Sequence, residues 1–325
     1  MNIAQLKKIV GFYGRFLPSF TRVGYGVRRL AWAPTAMSFR GQRWLITGAS
    51  SGIGARIARE ASRAGAHVLA AARNAENLAR VRASETALGG RIDAAVVDLA
   101  LQRDVERLIE ELSAAGERFD VLVNNVGVLL DDHQLTEEGR ETSFATNLLN
   151  HYCLTEGLMR RDLLQHDAIV ISMSSGGMYN VPLMTTPLNV LTPASYDGVA
   201  AYAFHKRAQV ALTHYWNAKY SDRGVSFYVM HPGWVDTIGV QTSLPRFRRI
   251  LRPLLRDEHA GADTALWLAA VRPPAPSNEH IWFDRAPRTA HAFARTRATT
   301  DTAQTLVERL EVELARYNKV QASRT

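Results

Sequence analysis

Several things are scarce in this chain, and each shortage removes a class of function. There is one cysteine, Cys153, in 325 residues. No intrachain disulfide can form and no cysteine-based metal cluster is expected; a reducing, cytoplasmic setting follows, and no metal site is assigned. One stretch, residues 168–196, carries no charge at all, yet Pro182, Pro187 and Pro193 break it. It therefore reads as a loop and not as a membrane span. Acid is missing from residues 1–40, which hold Lys7, Lys8, Arg15, Arg22, Arg28, Arg29 and Arg40. Those cations account for nearly all of the formal net charge of +8, so the body is close to neutral and a nucleic-acid-binding body is excluded. There is no internal repeat and no second glycine fingerprint, which argues for one domain with appended ends.

What is present is organised around Arg43 to Ala64. A short apolar run, Trp44 to Ile46, fits a buried strand, and Ile53, Ile57, Ala58 and Ala61 recur at helical spacing. Between them lie Gly48, Gly52 and Gly54. A strand that turns through glycines into a helix aims free N–H groups and the positive end of the helix dipole at one point, which suits a diphosphate. Gly48 would allow the tight turn, Gly52 close backbone approach and Gly54 close helix–strand packing.

A second strand, His67 to Ala71, ends where a carboxylate would accept the 2′-hydroxyl of NAD. That region reads Ala71-Ala72-Arg73-Asn74, without an acid. Arg73 can pair with a 2′-phosphate, so NADP is preferred over NAD. Further elements follow: a helix over 75–88, strands at Ile92 to Val97 and Val121 to Val123, and a helix over about 101–115 with Asp98 as its cap, or as an adenine contact if the family resemblance given below holds. A long helix is expected from Gly139 to Leu164, then a strand from Ala168 to Met173 and a helix over 199–220. Beyond it come a strand at Val225 to Met230, a helix over 260–270, an edge strand at Ile281 to Phe283 and a terminal helix over 300–317. The uncharged loop is expected to wall the substrate pocket with Met178, Tyr179, Leu183, Met184 and Leu188, favouring an apolar small-molecule substrate. Tyr202 and Lys206, four apart on a helix, share a face. A nearby ammonium and a positive nicotinamide ring would lower the phenol's pKa from about 10 toward neutrality.

Taken in order, the Gly48-x-x-x-Gly52-x-Gly54 loop, Asn124-Asn125-Val126-Gly127, Asn147, Ser174-Ser175, Tyr202-x-x-x-Lys206 and Pro232-Gly233 resemble the short-chain dehydrogenase/reductase family over about residues 41–283. The resemblance implies an α/β fold: a single Rossmann-type doubly wound parallel sheet with helices on both faces. The domains drawn from it are an arm (1–40), a catalytic domain (41–285) and a C-terminal helical extension (286–325). It also implies hydride transfer between NADP(H) and a carbonyl or alcohol, with Asn147, Ser175, Tyr202 and Lys206 as the catalytic tetrad. Thr47, Ser50, Ser51, Ile53, Asn74, Leu99, Asn125, Val126, Gly127, Pro232, Gly233, Val235 and Thr237 would line the cofactor, with Tyr202 and Lys206 reaching it as well. The alternative is a catalytically idle NADP-binding redox sensor. In this family the helices carrying Asn147 and Tyr202 commonly form a homo-oligomer contact, which the arm could block. The arm itself has two readings: packing on its own domain or a partner subunit, or peripheral contact with an anionic membrane.

Overall fold

The computed structural model describes residues 11, 14–83 and 89–322. One sheet runs in the order β3-β2-β1-β4-β5-β6-β7-β8. The strands are β1 (Arg43–Thr47), β2 (His67–Ala72), β3 (Arg91–Val96), β4 (Phe119–Asn124), β5 (Leu164–Met173), β6 (Ser226–Met230), β7 (His280–Phe283) and β8 (Ala286–Thr289). All neighbours pair in parallel except β7 with β8. The helices are α1 (Arg22–Arg29), α2 (Gly52–Arg63), α3 (Ala75–Arg82), α4 (Gln102–Ala114), α5 (Asn150–Arg160), α6 (Gly198–Lys219), α7 (Ile238–Ser243), α8 (Pro245–Leu251), α9 (Glu258–Val271) and α10 (Ala303–Ala322).

The strands are apolar because both faces are covered. Leu45, Leu122 and Val170 point into one core with α4, α5 and α6, while Trp44, Ile46, Val123 and Ile171 point into the other with α2 and α9. The order reverses between β1 and β4, which opens a crevice at the carboxyl ends of the strands, where such sheets bind ligands.

The structure departs from the sequence expectations in identifiable places. The long helix is divided: Thr142–Phe144 is a single turn, Ala145–Leu149 is π-helical and α5 begins at Asn150. β5 begins at Leu164 and not Ala168. β7 is not the edge; the hairpin to β8 adds an antiparallel strand, so the boundary at 285 falls inside that hairpin. Residues 84–88 of the helix expected over 75–88 lie outside the described residues.

The described part of the arm packs on its own domain. Residues 14–20 are helical, Phe16 and Phe20 stack at 4.3 Å, and Phe20 sets its edge against Trp234 and Phe283. On α1, Tyr25 turns inward while Val23, Val27 and Leu30 face outward at 56%, 64% and 88% exposure. At the other end of the chain, α10 buries Leu306, Leu310 and Leu314 in the core that also holds Tyr152 of α5 and Trp216 of α6. The Tyr152 hydroxyl donates to Glu311 at 2.6 Å. Among the described residues, α10 packs on α5 and α6, while Phe16 and Phe20 of the arm share a cluster with Val210 of α6. No helix among the described residues is long and apolar enough to cross a membrane.

Candidate active site

The glycine loop leads from β1 into α2. Gly48 has φ +64°, and a Cβ there would lie 2.9 Å from the Cα of Val126. At Gly54 a Cβ would come within 2.5 Å of the Gly48 carbonyl oxygen, so both positions exclude a side chain. The first turn of α2 has no side-chain cap, and Ser51 before it is exposed with Ser50 half-buried. Its orphan N–H groups thus face the crevice at the positive end of the helix dipole, which fits a dinucleotide diphosphate. Half-buried Ile53 packs on Gly261, where a Cβ would stand 3.2 Å from its side chain.

Several residues expected to line the cofactor have side chains bonded within the walls of the crevice. The buried Thr47 hydroxyl donates to the Val123 carbonyl (3.3 Å) and accepts from the N–H groups of Asn125 (3.0 Å) and Val126 (3.1 Å). Asn125 returns its amide to the Thr47 carbonyl at 2.9 Å. Strand ends β1 and β4 are locked together in this way, with their side chains committed to backbone. Asn74 caps α3 by accepting from Asn77 N–H at 2.8 Å. Asp98 accepts from Ala100 N–H at 2.9 Å and does not cap α4; Glu138 does that from a distant segment, taking the N–H groups of Gln102 and Arg103. Leu99 is buried, with its carbonyl accepting from Asn150 at 2.8 Å. Arg73, by contrast, is exposed at the end of β2 and engaged with nothing among the described residues. No carboxylate stands beside it in the sequence 71–74.

Across the crevice, the end of β5 presents two serines with different fates. Ser174 is buried and donates to the Lys206 carbonyl at 2.8 Å. Ser175 is half-buried, its hydroxyl accepts from the Gly177 N–H at 3.4 Å, and it acts to lower the pKa of the Tyr202 phenol. This leaves Ser175 as the serine available to a substrate oxygen. On α6 the Lys206 ammonium lies 5.4 Å from the centroid of the Tyr202 ring. It is buried and donates to the Met173 carbonyl at 2.8 Å and to Gln209 Oε1 at 3.2 Å. A Cβ on Gly127 would stand 3.2 Å from that ammonium and 3.5 Å from Asn147 Oδ1. Gly127 therefore leaves the room in which Lys206 and Asn147 face the crevice. The Asn147 side chain closes a two-way pair with Val128, accepting from its N–H and donating to its carbonyl, both at 2.7 Å.

Burial pushes the Lys206 pKa down to about 7, with no carboxylate countering it. Burial also raises the Tyr202 pKa, an effect that the Ser175 hydrogen bond partly offsets. The expected lowering by Lys206 is thus not built into the chain alone: desolvation of the phenol wins, and it also discourages the ammonium's charge.

The loop over the site also differs from expectation. Met178, Tyr179, Leu183 and Leu188 are buried in the cores and back the wall instead of lining it, whereas Met184 is 40% exposed. The loop is tied down: Thr185 N–H donates to Asp301 at 2.6 Å, and His205 reaches the Leu188 carbonyl at 2.8 Å.

The Pro232–Gly233 turn after β6 is held by a residue that sequence reading missed. Arg256, fully buried, donates to Pro232 carbonyl oxygen (3.2 Å), to the arm's Phe20 and Ser19 carbonyls (2.8 and 3.0 Å), and to both oxygens of Asp284. Arg28 from α1 joins the same carboxylate at 2.5 Å. Gly233, at φ +82°, would place a Cβ 2.4 Å from Arg256 Nε. A buried cation needs a buried anion, but Asp284 lies 28 residues away, so no local spacing announced the pair. His231 is stacked flat on Phe283 at 4.5 Å, accepts from Gly233 N–H, and is held neutral by burial and the Arg256 charge, as a packed strand-end histidine. Val235 is buried, and Thr237 caps α7 with its methyl 3.7 Å from where a Gly52 Cβ would be, so the two halves of the crevice meet there.

The short chain dehydrogenase family model matches residues 42–186. The chain is 35% identical to "Dehydrogenase/reductase SDR family member 12" of Bos taurus, over 97% of this chain and 99% of that one. It is 30% identical to "Retinol dehydrogenase 13" of Homo sapiens, over 63% and 62% of the two chains. Among solved structures, an NAD(P)-dependent gluconate 5-dehydrogenase of Beutenbergia cavernae with bound NADP is 28% identical and superimposes with TM-score 0.59, over 72% of this chain and 91% of that one. With an uncapped helix start facing a tyrosine–lysine pair across the crevice, the chain belongs to the short-chain dehydrogenase/reductase family and is an NAD(P)-dependent oxidoreductase.

Proposed function

We propose that the chain transfers hydride between NADP(H) and an apolar carbonyl or alcohol, with Tyr202 as proton donor in reduction and acceptor in oxidation. The observation that carries this is the cluster at the end of β5, where the Lys206 ammonium donates to the Met173 carbonyl at 2.8 Å and lies 5.4 Å from the centroid of the Tyr202 ring. Bound nicotinamide supplies the hydride and, when oxidised, a positive charge. The protein's residues do the rest. The loop N–H groups at the start of α2 hold the diphosphate, and Arg73 would pair with a 2′-phosphate, which supports NADP over NAD. Ser175 orients the substrate oxygen. Tyr202, kept protonated by burial, is poised to give its proton to that oxygen as negative charge develops on it. Lys206 holds the cofactor ribose with its remaining N–H and stabilises the phenolate left behind. Asn147 keeps the Val128 backbone, and with it Gly127, in place beside the ammonium.

The preference for an apolar substrate is supported by Met184, Leu191 and Val199, exposed at 40%, 50% and 56% on the loop and at the start of α6, and by the name of the retinol dehydrogenase relative. NADPH oxidation with aldehydes, ketones and quinones of increasing chain length tests the reading. Tyr202→Phe should abolish turnover while NADPH still binds with unchanged affinity. Residual turnover above a few per cent in that variant would overturn the assignment, and silence of the wild type across the panel would favour the redox sensor. Peripheral membrane contact through the arm fits the outward row Val23, Val27 and Leu30 beside Arg22 and Arg29. Co-sedimentation with anionic vesicles, lost when those three apolar residues become serine, checks it.

A further inference from the structure

Behind the catalytic ammonium lies a side chain that the tetrad does not include. Gln209, one turn after Lys206 on α6, is 2% exposed. Its Oε1 is 3.2 Å from the Lys206 ammonium, and its Nε2 is 2.6 Å from the Asn147 carbonyl oxygen and 3.0 Å from His151 Nδ1. The amide can sit only one way round. An ammonium only donates and a backbone carbonyl only accepts, so reversing the amide would set NH2 against NH3+ and oxygen against oxygen. The same logic fixes His151: its Nδ1 must accept from the amide, so its proton is on Nε2 and the ring is neutral. Burial, helped by the Lys206 charge, agrees by pushing the His151 pKa down to about 3.

We propose that Gln209 is a positioning residue of this enzyme, an amide strut from the π-helical turn at Asn147 and from His151 to the ammonium of Lys206, which fixes how that ammonium meets the cofactor. The Met173 carbonyl and Gln209 Oε1 take two of the three ammonium hydrogens, leaving one for the crevice. Gln209 also holds the Asn147 carbonyl, so that a side chain joins the ammonium to that carbonyl directly. An amide with both hydrogens and its oxygen committed does not pass a proton onward as a water does. The strut meets the chain at an irregular turn: Asn147 lies in the π-helical stretch Ala145–Leu149, and Gln209 Nε2 donates to its carbonyl oxygen.

This inference rests on the reading of Lys206 as a cofactor-binding cation, so the experiment separates the two. The described titratable groups facing Lys206 are Tyr202 and His205 on its own helix and His151 on α5, with no carboxylate paired to it. NADPH fluorescence is titrated against the wild type, Lys206→Met, Gln209→Leu and Gln209→Glu between pH 5.5 and about 10, from below the lowered Lys206 pKa of about 7 to near the ordinary lysine value. In the wild type, affinity should fall as Lys206 loses its charge with rising pH, and Lys206→Met should abolish that dependence. Gln209→Leu should move the midpoint down, and Gln209→Glu should move it up by about a unit or more, since a carboxylate favours the ammonium. A purely structural glutamine would lower the melting temperature of both variants without moving the midpoints apart. Coincident midpoints in folded Gln209→Leu and Gln209→Glu overturn the strut. A pH dependence that survives in Lys206→Met overturns the Lys206 reading instead.

Discussion

The two sides of the crevice are built on different principles. On the nucleotide side, residues 43–64 and 124–127 do nearly everything with backbone: positive φ at Gly48, bare contact at Gly54, open N–H groups at α2, and two loops stitched by Thr47 and Asn125. On the opposite side, the turn at Pro232–Gly233 is held from afar. Arg256 is clamped by Asp284 and by carbonyls of the arm, and the loop after β5 is tied to residues near 300. A diphosphate presents the same charges in every such enzyme, so a short local motif suffices. The substrate differs from one enzyme to the next, and its side of the cleft is assembled from whatever long-range contacts a chain supplies.

Breaking each side should fail differently. The largest effect is expected for Asp284→Ala, which leaves Arg256 buried without its anion and should cost about 3–5 kcal/mol of folding stability. Thermal unfolding measures it, and a change below 1 kcal/mol would show that the arm's carbonyls alone satisfy the guanidinium. Gly54→Val tests the other side. Overpacking against the Gly48 carbonyl should cost about 1–3 kcal/mol, but NADPH binding should vanish because helix and loop are forced apart. Unchanged NADPH affinity in a folded Gly54→Val protein would remove the close-approach argument. The smallest effect is expected at the rim: Arg73→Glu should weaken NADPH about tenfold or more, ~1.4 kcal/mol, while leaving stability unchanged. It should leave NADH binding unchanged or improved, and equal loss of both cofactors would count against a 2′-phosphate contact.

What was legible in the sequence follows the same division. The glycine loop, Asn125-Val126-Gly127 and Tyr202-x-x-x-Lys206 are spacings of a few residues, and local backbone geometry turns such spacings directly into juxtaposition. Which of the two serines is committed to backbone was not legible in their spacing: Ser174 donates to the Lys206 carbonyl. Missed were the partners that lie far apart in the chain: Arg256 with Asp284 and the arm, Glu138 capping α4, and Gln209 bridging α6 to the π-helical turn. The loop residues Met178 and Leu188 were assigned to the substrate because an apolar run does not say which of two apolar environments it faces. β8 was missed because APRT, with its proline, has little strand character until β7 offers it an edge.

By itself the sequence determined the alternation of strands and helices through the parallel part of the sheet, the glycine loop and the phenol–ammonium pair, because these depend on residues within one or two turns of each other. Only the tertiary structure decided which groups are charged and how the pair is held. Burial, not composition, pushes Lys206 down toward neutrality and keeps Tyr202 protonated, and burial is a property of everything that packs above a residue.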